Sequence, residues 1–176
     1  SIANNTWFNY NLAKYNDTVA TAFIPYSGNT QGEGNSMVSV GSDIYMLNGG
    51  SNFFQKYTSS SPTNAWTTLS TTGFSTTGSV GAGGSIVYPG SGDFIYVMKG
   101  SNLQQFWRYS ISGNSWTAMG NTPGTVNAGG AMAVVGNNIY AFGGGGTANF
   151  WRFDITQTAP GSWVNLTNTN APPTLI

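Results

Sequence analysis

From residue 34 onward, short apolar runs alternate with polar positions and are bounded by glycine, asparagine and serine. Period-two runs of this length, rich in Ile, Val, Tyr, Phe and Trp, predict β-strands. They come in sets of four. The first set comprises Asn35-Ser36-Met37-Val38-Ser39-Val40, Asp43-Ile44-Tyr45-Met46-Leu47-Asn48-Gly49-Gly50, Phe54-Gln55-Lys56-Tyr57 and Asn64-Ala65-Trp66-Thr67-Thr68-Leu69. The second comprises Gly84-Ser85-Ile86-Val87-Tyr88, Phe94-Ile95-Tyr96-Val97-Met98-Lys99-Gly100, Phe106-Trp107-Arg108-Tyr109 and Asn114-Ser115-Trp116-Thr117-Ala118-Met119. In the third, Gly130-Ala131-Met132-Ala133-Val134-Val135, Asn138-Ile139-Tyr140-Ala141-Phe142-Gly143-Gly144, Phe150-Trp151-Arg152-Phe153 and Gly161-Ser162-Trp163-Val164-Asn165-Leu166 follow in the same order.

The Ile-Tyr pair recurs at 44, 95 and 139 and the tryptophan at 66, 116 and 163, a spacing that marks an internal repeat. Between the first two runs of each unit stand Gly41-Ser42, Ser91-Gly92 and Gly136-Asn137, which supply the positive φ of tight hairpin turns. The units are therefore expected to be antiparallel meanders. The chain divides into a partial unit with a connecting segment (1–33), three units (34–70, 71–120 and 121–167) and a C-terminal tail or linker (168–176).

Composition sharpens this picture. Charged residues make up 6% of the 176 residues, and glycine (25) and aromatics (14%) are abundant, which favours strands and turns over helices. Five cations and five acids give zero formal charge and no basic stripe, so nucleic acid is not an expected partner. The longest apolar stretches fall well short of the roughly 18 to 20 residues of a membrane-spanning helix, and no membrane insertion is expected. A surface poor in charge and rich in Asn, Ser, Thr and Gly points to an extracellular or cell-surface protein. Sequons at Asn4, Asn16 and Asn165 are candidate glycosylation sites. The start at Ser1 reads as a mature form or a fragment.

Glycines after the second run (Gly49-Gly50, Gly100 in Lys99-Gly100, Gly143-Gly144), an aromatic on the third (Tyr109 in the second unit) and a tryptophan opening the fourth (Trp66, Trp116, Trp163) together resemble the kelch repeat. The resemblance covers roughly residues 34–167 and implies an all-β fold, a β-propeller of four-stranded antiparallel blades with the first strand of each innermost. Lys99 departs from the pattern, and a looser backbone approach is expected there. Asn5-Thr6-Trp7 resembles the opening of a fourth strand, which gives about three blades plus a partial N-terminal one; closed rings hold four to eight. A second copy, or a longer parent chain, is then expected to complete the ring. The alternative is an irregular blade built from residues 10–34, including the strand-like Thr18–Ile24, with the C-terminal tail.

The chain has no His and no Cys, which removes the commonest general base, Ser-His-Asp and Cys-His arrangements and thiolate metal sites. Its acids are Asp17, Glu33, Asp43, Asp93 and Asp154, of which Asp43 and Asp93 sit beside hairpin turns, where turn chemistry accounts for them. Gly143–Gly146 lacks the Lys-Ser/Thr of a phosphate loop. No catalytic residue, metal or cofactor is therefore assigned.

Lys56, Arg108 and Arg152 recur at one position of the third strand and are expected to make a repeated hydrogen bond or stacking contact between blades. The loops between second and third strands carry Asn52, Asn102, Gln104 and Asn149, candidate ligand-binding amides. Structural assembly or adhesion through self-association or a protein partner is the leading functional expectation. A glycan-binding module and a non-catalytic fragment of a larger propeller enzyme are the alternatives.

Overall fold

The computed structural model describes residues 32–59 and 66–167. The strand-like Thr18–Ile24, the Asn5-Thr6-Trp7 motif, Asn4, Asn16 and the tail 168–176 lie outside them. Three four-stranded antiparallel sheets follow one another along the chain. The first holds β1 (Ser36–Val40), β2 (Asp43–Leu47), β3 (Phe54–Thr58) and β4 (Trp66–Thr68). β5 (Ser85–Val87), β6 (Phe94–Met98), β7 (Phe106–Ser110) and β8 (Ser115–Ala118) make up the second. The third holds β9 (Ala131–Val135), β10 (Asn138–Phe142), β11 (Phe150–Asp154) and β12 (Trp163–Asn165). Among the described residues there are three sheets and no closed ring. The only helical segment assigned there is a 3-10 turn, Phe74–Thr76, and no helix is long and apolar enough to cross a membrane.

Each sheet is a meander in sequence order, and the first strands lie side by side, β1 against β5 and β5 against β9. Because side chains alternate across a strand, each sheet has a front face toward the preceding sheet and a back face toward the next. In the second sheet the front carries Ile86, Ile95, Val97, Trp107, Tyr109 and Trp116, all in the core shared with the first sheet. Its back carries Val87, Tyr96, Met98 and Phe106, in the core shared with the third. A sheet apolar on both faces needs a neighbour on each side, and the middle sheet has both.

Register sets equivalent residues of the repeat in the same rows of each sheet. Val38, Tyr45, Lys56 and Thr67 align across the first sheet, Val87, Tyr96, Arg108 and Thr117 across the second, and Ala133, Tyr140, Arg152 and Val164 across the third. One row further in, Phe54, Phe106 and Phe150 pair with Leu47, Met98 and Phe142.

The loop glycines lock each sheet to its own entry segment. A Cβ on Gly49 would stand 2.0 Å from the Glu33 carbonyl oxygen, one on Gly100 2.3 Å from that of Ala82, and one on Gly144 2.4 Å from the Gly130 nitrogen. Two sequence expectations are thereby corrected. The second unit is not looser, since Gly100 approaches backbone as closely as its counterparts. The register of the motif also shifts, because the first loop is one residue shorter (49–53 against 100–105): Asn48, Lys99 and Gly143 are the equivalent residues, each donating its N–H to the residue before the third strand (Phe53, Gln105 and Asn149).

Candidate functional site

The sheets meet through a repeated aromatic joint. Phe54 on the back of the first sheet packs edge-on against Tyr109 (4.9 Å between centroids) and Trp116 (5.0 Å) on the front of the second. Phe106 meets Phe153 (5.0 Å) and Trp163 (4.8 Å) of the third sheet in the same way. The indole N–H of Trp116 donates to the Ser70 carbonyl (2.7 Å) and that of Trp163 to the Gly120 carbonyl (3.0 Å), the residues just past the preceding outer strand. The tryptophan thus serves as hydrophobic filler and as a polar clamp on its neighbour.

Around the first joint, Asn114 Oδ1 accepts from the Tyr109 hydroxyl (2.8 Å) and the Ser70 N–H (2.9 Å). At the second joint Phe153 replaces the tyrosine, and the Gly120 N–H donates instead to the Pro160 carbonyl (2.8 Å). Burial raises the Tyr109 phenol to about 12.

Among the described residues the recurring cations find their contacts within their own sheets, where the sequence led one to expect contacts between blades. Lys56 Nζ lies 3.3 Å from Asp43 Oδ2, and the Arg108 guanidinium stacks 4.2 Å from the Phe94 ring centroid. Arg152 lies near Asp154, whose carboxyl is lowered mainly by hydrogen bonds from Thr156. The Nε atoms of Arg108 and Arg152 are buried with no hydrogen-bond partner among the described residues. Cross-strand neighbours are the nearest groups a third-strand side chain can reach, which explains the local pairing. Asp93 is a turn residue: it accepts from the Ser110 hydroxyl (2.6 Å) and the Ser112 N–H (2.8 Å), which hold its carboxyl below the usual range.

The amide loops occupy one edge of all three sheets. Asn52 is partly buried, and its Oδ1 has no hydrogen-bond partner among the described residues. Asn102 is exposed in a left-handed conformation (φ 60) with its N–H on the Val126 carbonyl (2.9 Å). The Gln104 carbonyl accepts from Thr122, and the Asn149 carbonyl from Gly143. Among the described residues no side-chain hydrogen bond joins any two of these amides. The third candidate sequon, Asn165, lies exposed on β12, its Oδ1 accepting from the Thr167 N–H (3.0 Å).

Sequence reading missed the role of Lys99. Its side chain is fully buried, and its ammonium donates to the carbonyls of Phe74 and Gly78 (2.8 Å for Gly78) above the Phe74 ring (4.1 Å to the centroid). Burial without a carboxylate lowers it to about 8. The available signal was a lysine between two apolar runs in a chain with only five cations.

No family model matches the chain, and no curated protein matches it. A solved structure titled "Structure of YjhT" is similar in fold, with a TM-score of 0.60 at 15% identity over 82% of this chain. The match takes in 53% of that protein, so this chain spans about half its length.

Proposed function

We propose that the chain is a non-catalytic, kelch-like segment of a β-propeller, secreted or displayed at a cell surface, that serves structural assembly or adhesion and is completed by further sheets. The observation that carries this reading is the joint between sheets: one back-face phenylalanine, one front-face tryptophan and one indole-to-carbonyl hydrogen bond, made twice in succession. A joint made twice from equivalent residues is a device for adding sheets. The fold likeness to a longer protein agrees with it. The absence of His and Cys, with Asp93 and Asp154 engaged in turns, supports a module without acid–base or thiol chemistry.

The native mass of the purified chain tests this reading. A discrete dimer or longer polymers in sedimentation or mass photometry is the expected result, and a stable 18.5 kDa monomer at tens of micromolar overturns assembly as the function. A second reading, glycan binding, is favoured by the unpartnered Asn52 Oδ1 on the edge that also exposes Asn102. Saturable retention on a glycan array, lost in Asn52→Ala and Asn102→Ala, would support it instead.

A further inference from the structure

The two connections between sheets are pinned by the same pair of backbone hydrogen bonds. The Gly50 N–H donates to the Val80 carbonyl and the Val80 N–H to the Ser51 carbonyl, both at 2.9 Å. In the second unit the Asn102 N–H donates to the Val126 carbonyl and the Val126 N–H to the Leu103 carbonyl, again both at 2.9 Å. Each pair joins the loop after a second strand to the chain that has left the fourth strand of the same sheet. Val80 and Val126 are 1% and 0% exposed, so an aliphatic side chain is buried wherever this bridge forms.

The third unit has the same loop without the bridge. The Ser101 N–H donates to the Ala82 carbonyl as that of Gly145 does to Ala128, and the Leu103 N–H to the Gly100 carbonyl as that of Thr147 does to Gly144. Gly146 therefore stands at the position of Asn102, and Thr147 at that of Leu103. Gly50, Asn102 and Gly146 share a left-handed backbone, with φ of 74, 60 and 71. Glycine and asparagine adopt it most readily, which sets the loop before anything binds. Among the described residues, neither the Gly146 N–H nor the Thr147 carbonyl has a hydrogen-bond partner. A Cβ on Gly146 would meet nothing within 4 Å. One donor and one acceptor held as in the two filled sites can pair with one residue of extended chain.

The sequence after β12 carries a matching residue. Leu69, Met119 and Leu166 are equivalent, each donating its N–H to the first residue of its third strand (Phe54, Phe106 and Phe150) at 2.9 Å. Val80 stands eleven positions after Leu69 and Val126 seven after Met119, and each follows a hydroxyl residue, Ser79 or Thr125. Leu175 stands nine positions after Leu166 and follows Thr174, an interval between the two that already reach the loop.

We infer that the Gly146–Thr147 edge is the docking site for the C-terminal segment of this chain, with Leu175 as the bridging residue. The Gly146 N–H donates to the Leu175 carbonyl, and the Leu175 N–H donates to the Thr147 carbonyl. The contact holds the chain that leaves the third sheet on that sheet's own loop edge, as the two earlier connections are held on theirs. It stands whether or not the chain assembles.

Amide exchange in the whole 176-residue chain, read residue by residue by NMR, tests the assignment. The Gly146 amide is expected to exchange at least fivefold more slowly in the wild type than in Leu175→Pro, which removes the bridging N–H. Leu175→Val should keep that protection, since valine fills the position in the first two units. The Gly50 and Asn102 amides should not change in either variant, which shows that the sheets stay folded. Equal Gly146 rates in the wild type and Leu175→Pro overturn the inference. Protection of Gly146 that rises with protein concentration also overturns it, because a second copy would then be the occupant.

Discussion

The two joints among the described residues bury equivalent aromatic trios, Phe54–Tyr109–Trp116 and Phe106–Phe153–Trp163, but receive connections of different length. Between β4 and β5 run 16 residues (69–84), against 12 (119–130) between β8 and β9. The longer connection carries the 3-10 turn, puts Phe74 in a 4.1 Å stack on Trp116 and is tied down by the Lys99 ammonium. The shorter one has no lysine to hold it. Gly143 occupies the place of Lys99, and the connection presses directly on Trp151, where a Cβ on Gly124 would lie 3.2 Å from the ring. The repeat thus absorbs extra length by trading a glycine for a buried cation that satisfies the added carbonyls. The aromatic packing itself changes only by Phe153 in place of Tyr109.

The shared part of the comparison breaks with the largest effect. Trp116→Ala is expected to cost about 3–5 kcal/mol in urea unfolding, and more than Trp163→Ala, because Trp116 also supports Phe74 of the longer connection. Equal costs would mean that the stack is incidental. Next comes backbone fit. Gly83→Ala combines positive φ with a 2.2 Å clash and should cost about 2–5 kcal/mol, while Gly129→Ala, with the same φ and open space, should cost only about 1 kcal/mol.

The polar latch of the first joint gives a smaller effect. Tyr109→Phe should cost about 1 kcal/mol, and Tyr109→Phe with Asn114→Gly, which writes the second joint's residues into the first, should cost less than the sum of the two single changes. Additivity in that cycle would show that the hydroxyl and the amide act separately.

A pH dependence should come from Lys99, about 8 when folded and about 10.4 when unfolded. Between those values the unfolded chain holds a proton that the folded chain has released, so this group's contribution to stability rises with pH. Wild-type stability should therefore gain on Lys99→Met between pH 7.5 and 9.5, before the tyrosines ionise. A flat difference over that range would show that Lys99 titrates as an exposed lysine.

The sheets were legible because each strand carries its own period-two pattern and each hairpin its own glycine, signals confined to about five residues. The buried amine was not, since its partners are mainly the backbone carbonyls of Phe74, Thr77 and Gly78, which leave no mark in side-chain chemistry. The partners of Lys56 and Arg108 were misplaced for a related reason: Asp43 and Phe94 begin the adjacent strand, and only the register brings them beside the third. The motif shift at Asn48 follows from one missing loop residue, which a pattern of neighbouring glycines conceals. The candidate amides were chosen by their place between second and third strands, but their mutual geometry depends on how the three sheets splay.

Every described sheet is made from one contiguous stretch of chain, and no strand is borrowed from another unit. Folding can therefore proceed by local hairpin closure, without the long-range threading that slows most all-β proteins. Stability then accrues approximately as one term per sheet plus one per joint. The middle sheet, with a joint on either side, would be the last to exchange its amide hydrogens, and the chain would unravel inward from its ends.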